Sequence, residues 1–146
     1  MIAVAALLSV LILAIAVLHA SWGLGSYWPA GNAEALAKSA VGTPGVKRMP
    51  PPSACFGVAA LLTGVAAWPL VATGLLPEAW PHWLTQLAGA AIASVFLGRG
   101  IAGFTAAWRR RFPEQPFAAY DRRYYSPLCL ALGAGTLATL TAGMNP

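Results

Sequence analysis

The first charged residue of this chain is Glu34, and the long apolar stretch before it constrains the fold more than any motif does. Uncharged stretches recur at 50–77, 80–98 and 124–146. A helix rising 1.5 Å per residue needs about 20 mainly apolar residues to cross a bilayer core. Four segments meet that length, at about 2–23, 54–76, 82–108 and 127–145. The third contains Arg99. Backbone amides in lipid must be satisfied within the span, which leaves helices or a closed barrel. Barrel strands need about ten residues of alternating polarity, and the unbroken apolar run Ile2–Leu18 has no such alternation. The sequence therefore predicts an all-α polytopic membrane protein: a four-transmembrane-helix antiparallel bundle forming one membrane domain over residues 1–146.

Composition excludes the common alternatives. Hydrophobic residues make up 58% of the chain and charged residues 9%, against about 45–50% and about 25% in soluble domains. Thirteen charged side chains cannot cover a soluble enzyme of this apolarity, and neither a disordered tail nor a disulfide-stapled secreted domain has this make-up. The first span is not read as a signal peptide, because no positive region precedes it and its apolar stretch exceeds the usual 7–15 residues.

Basic residues set the expected orientation. Lys38, Lys47 and Arg48 fall in the loop at 24–53, and Arg109, Arg110, Arg111, Arg122 and Arg123 in the loop at 109–126; Arg99 is the ninth. Four spans place these two loops on one side. The positive-inside rule assigns that side to the cytoplasm and both termini to the outside. The net charge of +5 then reflects topology and suits anionic lipid headgroups; membrane lipids are the expected partners and nucleic acid is not. Trp83 and Trp108, about 38 Å apart on a continuous helix, would mark the two interfaces of the third span. Pro69 is expected to kink the second.

Small residues at four-residue spacing read as contact faces: Ala90, Ser94, Gly98, Ala102 and Ala106 on the third span, and Ala131, Gly135, Thr139 and Gly143 on the fourth. They suit packing of these two helices or a homo-oligomer. In the first loop, Asn32 can cap a short helix over 33–41, with Glu34 and Lys38 at the favourable i,i+4 spacing. Gly42, Pro44, Gly45 and Pro50–Pro52 then end regular structure. This segment reads either as a plain surface return or as a lid.

Scarce polar residues locate the candidate site. Arg99 lies inside a span, where a charge is costly and points to function unless it snorkels to the headgroups. An internal ion pair would require Asp121 to fold back from the third loop. His19 and Trp22 share a helix face one turn apart, and a histidine can relay protons. Tyr124, Tyr125 and Ser126 fall toward the same side. The expected ligand-binding set is thus His19, Trp22, Arg99, Asp121, Tyr124, Tyr125 and Ser126, in a polar pocket at the cytoplasmic half. Cys55 and Cys129 read as packing cysteines; no metal-ligand spacing supports a metal site with His19, and no cofactor is called for. Phosphate loops, nucleotide fingerprints and nucleophile elbows are missing.

The string Phe117-Ala-Ala-Tyr120-Asp121-Arg-Arg-Tyr124-Tyr125-Ser126-Pro127-Leu128-Cys129-Leu130 resembles the signature of a family of small bacterial membrane proteins catalogued as a domain of unknown function. His19-x-x-Trp22-x-x-Gly25, Met49-Pro50 and Arg99-Gly100 match it too. The resemblance implies four helices in a bacterial plasma membrane and carries no activity. The expected role is non-catalytic binding of a small lipophilic or amphiphilic ligand, or of a membrane partner subunit. The alternative is an intramembrane isomerase or thiol transferase, with His19 as acid or base and Arg99 stabilising an oxyanion.

Overall fold

A computed structural model describes residues 1–143, and among these every regular element is helical. The order is α1 (Ile2–Gly23), α2 (Ala33–Ala40), α3 (Pro52–Ala72), α4 (His82–Gly103), α5 (Ala106–Arg111), α6 (Phe117–Tyr120), a π-helical segment (Asp121–Tyr125) and α7 (Ser126–Gly143). Four helical stretches are long and apolar enough to cross a membrane: α1, α3, α4 and the continuous run Phe117–Gly143. Large apolar side chains point outward along them, among them Leu7, Val10, Leu61, Val95 and Ile101. Water would penalise that arrangement and lipid does not.

The helices associate as two antiparallel pairs. In the first, α1 packs on α3. Its buried face is Ala5, Leu8, Ser9, Ile12 and Ala16, the i, i+3, i+4, i+7 stripe that a helix presents to one neighbour. Gly23, at the end of α1, lies against the Phe56 ring near the start of α3. In the second pair α4 packs on α7 through reciprocal small-for-large contacts. A Cβ on Gly100 would come 2.7 Å from Leu130, and one on Gly133 would come 2.7 Å from Leu97. The two pairs meet around Leu8, Ile12, Ala66 and Leu132, with Phe96 and Leu128 packed beside them. Gly89 brings α3 and α4 together, because the Trp68 indole occupies the space a Cβ would need.

Three expectations need correction. The third span does not continue to Trp108. Its helix stops at Gly103, and Thr105 caps α5 by accepting from the Trp108 amide at 3.2 Å. A Thr three residues before a new helical turn is a start signal, so Trp83 and Trp108 do not mark the two ends of one helix. The fourth span begins ten residues before Pro127, at Phe117; the end expected near residue 145 lies outside the described residues. Finally, α4 and α7 do meet, but not along the expected stripes. Ala90, Ser94 and Gly98 face outward, and the buried face is Gly89, Ala93, Gly100 and Gly103. On α7 the expected stripe is only partly used: Thr139 is buried and Gly135 lies against Leu8 of α1, while Ala131 is exposed and the contact with α4 runs through Leu130 and Gly133. Pro69 stands in the last turn of α3, and the helix runs on to Ala72.

The first loop forms as its sequence suggests. Asn32 caps α2 by accepting from the Ala35 amide at 2.9 Å, and Lys38 pairs with Glu34 at 2.7 Å. The loop is strapped to the third loop. Gly45 N donates to Glu114 Oε2 at 3.0 Å, Glu114 N to Gly42 O at 3.3 Å, and Tyr125 Oη to Ser39 O at 3.1 Å. Gly42 has φ +74°, and the Phe117 ring fills the place of its missing Cβ. Backbone conformation and space both require glycine there.

Candidate functional site

The sequence-predicted residues separate into two groups, one on each helix pair. The first is built on α4 and the start of α7. Arg99 stands one turn from the end of α4, shallower than a helix reaching Trp108 would put it. Its guanidinium forms an ion pair with Asp121 and donates to Ser126 Oγ at 3.3 Å; Ser126 Oγ donates to Asp121 Oδ2 at 3.2 Å. The Trp108 ring lies 4.3 Å from the Arg99 Cζ, a cation–π contact.

The π segment makes this triangle. Asp121 and Ser126 are five residues apart, a spacing that α-helical geometry does not align. A turn with i→i+5 bonding does, and Ser126 N donates to Asp121 O in that way. Asp121 therefore belongs to the helix leading into α7 and does not fold back from a loop. Gly103 lets α4 approach, since its Cβ would occupy the place of Ser126 Oγ. The Asp121 side chain is 3% exposed and that of Arg99 28%. A carboxylate this deep needs its paired cation and hydrogen bonds, and all of these come from within the chain. Tyr125 contacts the rings of Phe117 and Tyr120, while Tyr124 faces outward under Arg123.

The second group lies on α1 and α3. His19 and Trp22 stack with ring centroids 4.8 Å apart. They line a cleft of about 140 Å³ with Val41, Met49, Cys55 and Val58. His19 Nδ1 lies 2.8 Å from Ile15 O, and Trp22 Nε1 donates to Trp28 O at 2.8 Å. A carbonyl only accepts, so Nδ1 carries the hydrogen, and Nε2 has no hydrogen-bond partner among the described residues. Arg99 does not line this cleft, and no hydrogen bond or ring contact among the described residues joins His19 to the Arg99 group. Cys129 is not in the cleft either, and no cluster of three His, Cys, Asp or Glu side chains gathers among the described residues.

A third polar cluster, at the opposite end of the helices, escaped the sequence reading. Thr85, 2% exposed, accepts from Trp80 Nε1 at 2.9 Å, donates to Glu78, and receives Trp68 Nε1 on its carbonyl at 2.8 Å. His82 Nδ1 lies 3.3 Å from Glu78 Oε2, and Gln86 Nε2 lies 2.9 Å from His82 Nε2. The Thr85 hydroxyl, helped by His82, holds the Glu78 carboxyl below its ordinary range. The run Glu78-x-Trp80-x-His82-x-x-Thr85-Gln86 was its available signal.

A family profile described as "Protein of unknown function (DUF3995)" matches residues 12–136. The chain belongs to this family. The matched stretch takes in His19, Arg99, the π segment and Ser126, so both candidate groups are part of the DUF3995 region. Comparison with curated proteins and with solved structures gives no match.

Proposed function

We propose that this DUF3995 protein is a four-pass protein of the bacterial plasma membrane. In this reading it binds a small amphiphile, without catalysis, in the cleft beside His19 and Trp22. The two basic loops face the cytoplasm and both termini the outside. The helices form one bundle surrounded by lipid. The observation that carries the reading is His19, which lines an otherwise apolar cleft, is held through Nδ1 on the Ile15 carbonyl and has no partner for Nε2 among the described residues. Clefts with a few placed polar groups on an apolar lining are the usual form of ligand sites.

The Arg99 group takes a different role from the one its sequence suggested. Its charge is answered by Asp121 and Ser126, which suits a clamp between α4 and α7 better than a ligand contact. The enzyme reading needs His19 and Arg99 to act on one substrate, and the separate surroundings of the two side chains count against it.

Native mass spectrometry of the protein released from its own membrane tests the proposal. Wild type is expected to retain a small-molecule adduct. Ala54→Trp, which fills the cleft from the exposed start of α3, is expected to lose it while keeping its thermal stability. An identical adduct in both proteins refutes the binding site. For the orientation, a phosphatase fused after residue 146 is expected to be active outside the cell; activity only in a cytoplasmic reporter reverses the layout.

A further inference from the structure

The His19 cleft also states what kind of headgroup it takes, an inference that rests on the binding role proposed above. Its polar wall offers an acceptor and no positive charge. His19 is held with Nδ1–H on the Ile15 carbonyl, so a neutral ring presents only the Nε2 lone pair. The cleft lining contains no carboxylate and no Lys or Arg. The Trp22 indole N–H is already engaged by the Trp28 carbonyl. Cys55, buried on the α3 side, has only a weak donor, which points at Pro50 O at 4.0 Å. An anionic headgroup would enter such a space without a cation or a strong donor to receive it, at a high desolvation penalty.

A neutral hydroxyl meets the opposite situation. It donates to Nε2, and the rest of the headgroup lies against Trp22, Val41, Met49 and Val58. A flat ring suits an indole face and a thioether in particular. The size agrees. About 140 Å³ falls well short of the roughly 300–1,000 Å³ of pockets that enclose a whole drug-sized ligand. The cleft accommodates a single ring, and an alkyl tail must lie outside it.

The second cleft, about 430 Å³ between Pro29, Lys38, Pro116 and Tyr120, makes no comparable selection. Its one charged group, Lys38, is already paired with Glu34. We therefore infer that the His19 cleft selects a neutral, hydroxyl-bearing aromatic headgroup of phenol or quinol type on a lipophilic tail, and rejects anionic amphiphiles.

Three matched probes test this on the full-length protein in nanodiscs, followed by quenching of intrinsic tryptophan fluorescence and by equilibrium dialysis. They are 4-hexylphenol, its methyl ether 4-hexylanisole, and 4-hexylbenzoate. Wild type is expected to bind the phenol about tenfold more tightly than the ether, the scale of one buried acceptor left without its donor. The benzoate is expected to bind weakest. His19→Phe keeps a ring and removes the acceptor; it is expected to bind phenol and ether equally, with ether affinity unchanged. Equal binding of phenol and ether by wild type, or preference for the benzoate, overturns the headgroup assignment and leaves the cleft as a binding site. Failure of all three probes to saturate, with no difference between wild type and Ala54→Trp, refutes the cleft itself.

Discussion

The two ends of the helical assembly solve one problem at two depths. Each centres on a carboxylate that accepts from a nearby hydroxyl and faces a nitrogen-bearing side chain. At the basic-loop end, Asp121 meets Ser126 and Arg99; at the other end, Glu78 meets Thr85 and His82. Asp121 has a side chain 3% exposed, whereas that of Glu78 is 32% exposed. Water can replace a lost partner of Glu78, and nothing replaces a lost partner of Asp121. Like chemistry at the two ends should therefore carry unequal weight, more as a clamp at the basic-loop end and more as an adjustable contact at the other.

The largest difference between the ends should come from Asp121→Ala. It leaves the Arg99 guanidinium without its counter-charge, and removal of one member of a buried pair is expected to destabilise by about 3 kcal/mol. Chemical denaturation in mild detergent measures it. The double variant Arg99→Leu with Asp121→Leu should recover a substantial part of that loss, because no uncompensated charge remains; a double variant as unstable as the single would contradict the clamp.

Gly103→Ala comes next. The added methyl collides with Ser126 Oγ and presses on Asp121, and overpacking of this kind is expected to destabilise by about 2 kcal/mol. Gly98→Ala, five residues earlier in open space, is its control and should lose no stability in the same melting experiment. Equal effects at the two glycines would show that close approach of α4 to α7 is not what positions Arg99.

At the other end, Thr85→Val removes the donor to Glu78 and the acceptor of Trp80, while the Trp68 bond to the backbone carbonyl survives. A loss of about 1 kcal/mol is expected, together with a change in tryptophan emission. The smallest effect is one of pH. The folded Glu78 carboxyl lies below its ordinary value because of Thr85 and then His82. Its contribution is present above the unfolded carboxyl range and is lost as pH falls through the folded value. Melting curves between pH 6 and pH 3 should slope less for Glu78→Gln than for wild type.

Much of this arrangement was legible from the sequence because lipid imposes length and charge rules that a string of residues displays directly. The four apolar stretches, the capped helix after Asn32 and the stacking of His19 on Trp22 follow from period and spacing. The pairing of Arg99 with Asp121 was foreseeable as the one acid within reach, but its route was not. That depends on a turn with an extra residue, and Asp121-Arg-Arg-Tyr-Tyr-Ser126 reads equally well as ordinary helix. The contact face of α4 was misplaced because an Ala- and Gly-rich helix offers several small-residue stripes; only the partner's large groups, Leu130 and Trp68, choose among them. The Glu78 cluster went unseen because its members look like an interfacial turn until the Trp68 indole arrives from α3.

The wider turn at Asp121–Tyr125 has a consequence for how such chains can vary. Shortening it by one residue would restore an ordinary helical repeat without disturbing the lipid-crossing part of α7. Asp121 and Ser126 would then stand four residues apart on an ordinary helix, still on one face, so Asp121 would stay beside the guanidinium and Phe117 in the seat that Gly42 leaves for it. The same single-codon deletion inside the regular part of α7, where no wider turn absorbs it, would carry everything upstream about 100° around the axis and unfasten both loops at once.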